Sequence, residues 1–157
     1  MRIERKYLAH FIKGNYMETF VRLGQDLEEF TPEMAAEVES HRNILGEKRI
    51  TITGYDKTAS VEPFYAQPDD ELFGFLQDVI ERNAVLEELK VQVVDVMLWE
   101  NAEGNNYHAT METAYVEVTS YGGDHNGYRI GFKLHYTGEK VTGLFNVYEK
   151  TFQELGE

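Results

Sequence analysis

The sequence predicts a mainly-β domain: an antiparallel β-sandwich or partly open barrel of about eight strands with one flanking α-helix. Three observations lead there. Apolar and polar residues alternate through most of the 157 residues, as half-buried strands require, because successive side chains leave a strand on opposite faces. Clusters of Gly, Asn and Asp separate the runs, where hairpins need turn residues. Only one stretch carries a helical period, and strands and helices do not alternate as parallel βαβ units would.

Taken in order, Glu18 to Leu23 sets Thr19, Val21 and Leu23 on one side of a first strand. Glu33 to His41 places Met34, Ala36 and Val38 on one face and Glu33, Ala35, Glu37 and Glu39 on the other. Arg49 to Thr53 sets Ile50 and Ile52 against Arg49, Thr51 and Thr53, and Gly54 is expected to end it. Lys57 to Tyr65 follows as a shorter strand, in which Pro63 points to an edge or a strand end. Leu72, Phe75, Leu76, Val79 and Ile80 then form an amphipathic stripe, predicting a helix over 69–83. Pro68 supplies a first-turn proline, and Asp69, Asp70 and Glu71 place negative charge at the positive end of the helix dipole.

Leu89 to Glu100 starts with Leu89, Val91 and Val93 in phase and shifts to Val94, Val96 and Leu98, a bulge or a switch of buried face. The turn Glu103-Gly104-Asn105-Asn106 leads into Tyr107 to Thr119, with Ala114, Val116 and Val118 facing inward. Gly122, Gly123 and Gly127 mark the next turn. Tyr128, Ile130, Phe132, Leu134 and Tyr136 then share one face, and Thr137-Gly138-Glu139 is expected to turn the chain into Val141 to Tyr148. Residues 1–17 and a tail over 151–157 fit no element. The first is either a strand completing the sheet or an arm docking on another subunit.

The length accommodates a single domain, 1–157, large enough to fold without a metal or disulfide staple. The absence of cysteine removes disulfide frameworks, thiolate nucleophiles and thiolate metal sites. No apolar run approaches a membrane span, since even Val93 to Trp99 is broken by Asp95, and the N-terminal basic residues precede no leader-like apolar run. No membrane insertion is therefore expected. Net charge is −13, unevenly spread: residues 1–22 carry five basic and two acidic side chains, net +3, leaving −16 on the rest. An acidic surface repels phosphate backbones, which argues against a nucleic-acid-binding groove.

No constellation carries chemistry. His10, His41, His108, His125 and His135 include no pair at metal-ligand spacing. Asp124-His125 beside Ser120 is better read as turn chemistry than as a triad. The glycines of 122–131 lack the Lys-Ser/Thr of a phosphate loop, and Asp26 to Phe30 lacks the glycine of a calcium loop. The expectation is a non-enzyme without cofactor or metal.

In consistent order along nearly the whole chain come Lys6-Tyr7-Leu8-Ala9-His10, Tyr16 to Gly24, Asn43-Ile44-Leu45-Gly46-Glu47, Val61-Glu62-Pro63-Phe64-Tyr65-Ala66, Leu98-Trp99-Glu100, Val118-Thr119-Ser120-Tyr121-Gly122-Gly123 and His135-Tyr136-Thr137-Gly138. With these the chain resembles the tail tube (major tail) proteins of long-tailed bacteriophages and prophage tail clusters. The resemblance implies packed antiparallel sheets with a flanking helix, and hexameric rings stacked into a virion tail tube assembled in the host bacterial cytoplasm. Its implied partners are the protein itself, the tape-measure protein, tail terminator and baseplate proteins, and DNA in transit without specific binding. A baseplate or tail-completion protein of related fold, or a monomeric β-barrel binding a small ligand, are the alternatives.

On that resemblance, Glu33, Glu37 and Glu39 are candidates to face the tube lumen, with Gln92 and Glu112 as further candidates. Six copies would carry −78, and carboxylates along the bore would keep DNA phosphates off the wall over about 8–10 Å. Residues 1–17 are read as an intersubunit arm, anchored by Tyr7, Leu8 and Phe11, with Arg2, Arg5 and Lys6 facing acidic partners.

Overall fold

Val91, Val93, Val94 and Val96 are all buried, so the strand that carries them is covered on both faces. The computed structural model describes residues 1–14, 17–24, 27 and 29–154. Tyr16, Asp26 and Glu28 of the Asp26-to-Phe30 stretch, and residues 155–157 of the 151–157 tail, read from the sequence above, lie outside these. The strands are β1 (Leu8–Gly14), β2 (Val21–Leu23), β3 (Glu33–Arg42), β4 (Lys48–Tyr65), β5 (Lys90–Glu103), β6 (Asn106–Asp124), β7 (Gly127–Asn146) and β8 (Thr151–Glu154), with one helix, α1 (Glu71–Arg82). All pairings are antiparallel, in the order β2-β1-β5-β6-β7-β4-β3, with β8 added to β7. The order has two ends, so the sheet is not closed. This is the mainly-β, one-helix architecture that the alternation predicts.

The register explains the double burial of β5. Phe11 lies opposite Val94 and Ile12 opposite Val93, so neighbouring residues feed different faces. One apolar cluster gathers Ile12, Val91, Val93, Ala114, Val116, Ile130, Phe132 and Leu134 beneath the helix. The other gathers Ala9, Phe11, Phe20, Val94, Val96, Ala109 and Phe145. The phase change at Val93 and Val94 is thus a change of buried face with unbroken pairing; the β5–β6 register first shifts beyond Val96.

Two expected turns are absorbed into long strands. Gly54 does not end a strand: β4 runs through it, and the register shift at Glu37/Val38 leaves Thr53 as an inserted residue whose hydroxyl donates to the Glu37 carbonyl at 3.3 Å. Thr137-Gly138-Glu139 likewise forms no hairpin turn. Glu112 opposes Lys140 and Ala114 opposes Tyr136, so these three residues bulge opposite Thr113, with Gly138 at φ 91°. A third irregularity falls between Val61 and Phe64 of β4, the stretch that holds Pro63, whose side chain lies outside what the structure describes.

The helix is shorter than 69–83. The Asp70 carboxylate accepts from the Leu72 N–H at 2.9 Å and caps the start, while Asn83 stops the end in the left-handed region at φ 50°. Pro68 therefore lies in the preceding turn and not in the first helical turn. Leu72, Phe75, Leu76 and Val79 are buried and Ile80 half-buried, packing on the first cluster.

Candidate functional site

β4 pairs with β7 only from Thr58 onward, whereas β3 pairs with β4 along its whole length. Residues 33–57 consequently leave the sheet as a two-stranded hairpin, about 33 Å long at the usual rise per residue. The register sorts its side chains. Met34, Ala36 and Val38 share a face with Ile50, Ile52 and Tyr55, while Glu33, Glu37, Glu39 and His41 share the other with Thr51, Arg49 and Asp56. Both faces are exposed. The apolar face has no cover among the described residues, a pattern that marks surfaces made for another molecule.

The tip is tightly built. Asn43 Oδ1 accepts from both Leu45 N–H and Glu47 N–H at 3.0 Å, and the Asn43 carbonyl accepts from Gly46 N–H at 3.1 Å. Gly46 takes φ 80°, which suits glycine. This loop holds Ile44 and Leu45 outward at 102% and 77% exposure.

At the hairpin's root, Lys57 of β4 pairs with Glu112 of β6. Lys140 Nζ approaches the same carboxylate at 3.8 Å, and Lys57 Nζ sits 4.6 Å from the centre of the Tyr136 ring. Tyr136 Oη is buried and makes no hydrogen bond among the described residues. Burial, then the Asp95 and Glu112 carboxylates, hold its phenol well above the ordinary tyrosine range.

The structure separates the proposed lumen residues. Glu33, Glu37 and Glu39 do share one exposed face of β3. Glu112 is corrected: it is 5% exposed and ion-paired inside the chain, so it does not present a carboxylate to a channel. Gln92 accepts from the Thr113 hydroxyl at 3.3 Å, and since Val93 opposes Glu112 while Gln92 opposes Thr113, the two point to opposite faces.

The N-terminal reading also needs correction. Residues 8–14 form β1, paired with β2 and β5 of the same chain. Phe11 is buried with its ring centre 4.4 Å from that of Phe145, so it anchors nothing outside; Leu8 is half-buried in the same strand. The apolar alternation of 8–12 is obscured because β1, like β5, is covered on both faces. Arg5 lies in a 3-10 turn (Arg5–Tyr7) and donates to His10 Nε2 at 2.7 Å, to the Phe30 carbonyl at 3.0 Å and to the Leu8 carbonyl at 2.6 Å. A protonless Nε2 leaves Nδ1–H of buried His10 to donate to Asp95 Oδ1 at 2.6 Å. Arg5 therefore ties the N-terminus to its own sheet. Lys6 pairs with neighbouring Glu4, and Arg2 and Tyr7 are exposed.

His10 and Lys57–Glu112 escape detection in the sequence because their partners lie far away in the chain. Asp124 is engaged by Asn126 N–H at 2.9 Å and Arg129 at 3.2 Å, as a turn carboxylate. Among the described residues no group of three or more His, Asp or Glu could hold a metal ion, and no helix is long and apolar enough to cross a membrane. No protein-family model matches this sequence, and no curated protein matches it.

Proposed function

We propose that this chain is a structural subunit of a phage or phage-like tail tube, self-assembling into hexameric rings that stack into a conduit for DNA and tape-measure protein. The observation that carries this reading is the projecting β3–β4 hairpin, whose apolar face of Met34, Val38, Ile50, Ile52 and Tyr55 is left in water by the isolated chain. An isolated two-stranded hairpin is at best marginally stable in water, so a neighbour that covers this face supplies what the chain lacks. The open ends of the sheet at β2 and β3 offer unpaired backbone that ring closure would cover. The acidic face of Glu33, Glu37 and Glu39 suits a wall past which DNA slides without being held.

A monomeric ligand-binding barrel would keep its apolar surface inside a closed cavity; here the surplus apolar surface is on the outside of a projection. Negative-stain electron microscopy at raised protein concentration tests the proposal. Stacked rings or tubes are expected. Single rings that never stack favour a baseplate or tail-completion role, and monomers at every concentration overturn assembly altogether.

A further inference from the structure

We infer that the tip of the β3–β4 hairpin docks, in a second copy of this chain, into the groove beside helix α1 lined by Met17, Glu18, Glu71, Gly74, Phe75 and Asp78. The inference rests on the self-assembly reading and names the receiving surface.

The two surfaces match in charge and chemistry. From Arg42 to Arg49 the tip has three basic residues, Arg42, Lys48 and Arg49, against Glu47, net +2 on a protein of net −13. Between them the tip presents Ile44 and Leu45, held outward by the Asn43 hydrogen bonds. Ordering of the loop before contact lowers the entropic cost of docking. The groove supplies the complement: apolar Met17 and Phe75 form its floor, and Glu18, Glu71 and Asp78 stand along it against Arg82, net −2. Asp78 is bonded to Arg82 at 2.7 Å, so Glu18 and Glu71, both exposed, are the carboxylates offered to an incoming cation. Opposite potentials of this kind select the partner and fix its register.

Gly74 gives an independent indication. It sits inside α1 at an exposed position, and a Cβ there would meet nothing within 4 Å. Glycine weakens a helix interior relative to alanine, and packing among the described residues does not call for it. What it does provide is open space over the groove for a side chain from outside. The tip, at the far end of the hairpin, and the groove, beside the helix, are different patches. Their contact is therefore heterologous, and repeats into a ring or filament instead of closing as a dimer.

The chain has no cysteine, so cross-linking is clean. The Leu45→Cys, Gly74→Cys double variant, treated with a short bis-maleimide under assembly conditions, is expected to give a covalent ladder well beyond dimer, with each single variant giving dimers at most. Gly74→Arg, which fills the groove and adds positive charge, is expected to melt no lower than the parent and to lose assembly. Arg49→Glu should raise the concentration needed for assembly about tenfold, and adding Glu71→Arg should restore it. Tubes that form without a ladder, or that persist in Gly74→Arg, overturn the docking site and leave the tube reading standing. A parent protein that stays monomeric overturns both.

Discussion

Lys57 and Glu112, 55 positions apart in sequence, form a buried ion pair at the point where the β3–β4 hairpin leaves the sheet, with side chains 13% and 6% exposed. Lys57 is the last residue of β4 before pairing with β7 begins at Thr58. The pair thus ties the root of a projection to β6 in the body of the sheet. The faces of the projecting strands beyond Lys57 are largely exposed.

Removing one partner leaves a buried charge without compensation, which typically costs about 3–5 kcal/mol. Glu112→Gln is therefore expected to lower the urea midpoint strongly, because both Lys57 and Lys140 lose their carboxylate. The double replacement Lys57→Met, Glu112→Leu removes both charges and should recover most of that loss. Equal destabilisation by single and double variants would show that packing, and not charge, holds the site.

Tyr136 gives a pH dependence of defined sign. Its folded-state pKa is raised, first by burial and then by the Asp95 and Glu112 carboxylates, above the unfolded value of about 10. The folded state therefore keeps the proton that the unfolded chain releases. Its contribution is fully present below about pH 10 and falls as the pH rises beyond that, by at most about 1.4 kcal/mol per pH unit. Since its hydroxyl has no partner among the described residues, Tyr136→Phe should match or exceed the parent's stability at neutral pH and flatten the alkaline decline. Urea titrations at neutral and alkaline pH compare the two slopes directly.

These particulars show what alternation can and cannot reveal. The helix stripe and the inward face of Ile130, Phe132 and Leu134 were legible because one face of each is dry and the other wet. β1 and β5 blurred because both their faces are dry, so Phe11 beside Ile12 and Val93 beside Val94 carry no period. Gly54 and Gly138 were misleading in the opposite direction: glycine marks a bulge as readily as a turn, and only the partner strand decides which. The hairpin's Met34, Val38, Ile50 and Ile52 alternate like core residues yet are exposed, because periodicity reports an apolar face and not what covers it. The Lys57–Glu112 and His10–Asp95 pairs depend on registers between distant strands, which no local pattern encodes.

Leu76 tests the helix as a lid on the first cluster. It is fully buried, at 0% exposure, between neighbours Leu72, Phe75 and Val79. Leu76→Ala is expected to cost about 2–5 kcal/mol through lost burial and the cavity it leaves. Differential scanning calorimetry should register a drop of many degrees; a shift of a degree or so would mean that the helix does not close the core.

The N-terminus yields the sharpest contrast between neighbouring residues. Arg2, Ile3 and Glu4 are exposed and precede the Arg5 anchor, so deleting residues 2–4 should leave solubility and melting temperature nearly unchanged. Arg5→Ala removes its bonds to His10, Leu8 and Phe30 and leaves buried His10 short of a donor, an effect of about 1–3 kcal/mol. Deleting residues 2–13 removes almost all of β1, which lies between β2 and β5 and carries Ala9, Phe11 and Ile12 into both apolar clusters. That variant is expected to be insoluble or unfolded by circular dichroism, because the ladder of β5 and two core faces are opened at once. A soluble, folded 2–13 deletion that fails only in assembly would mean that β1 is an exchangeable arm after all, and would return the N-terminal segment to the subunit interface.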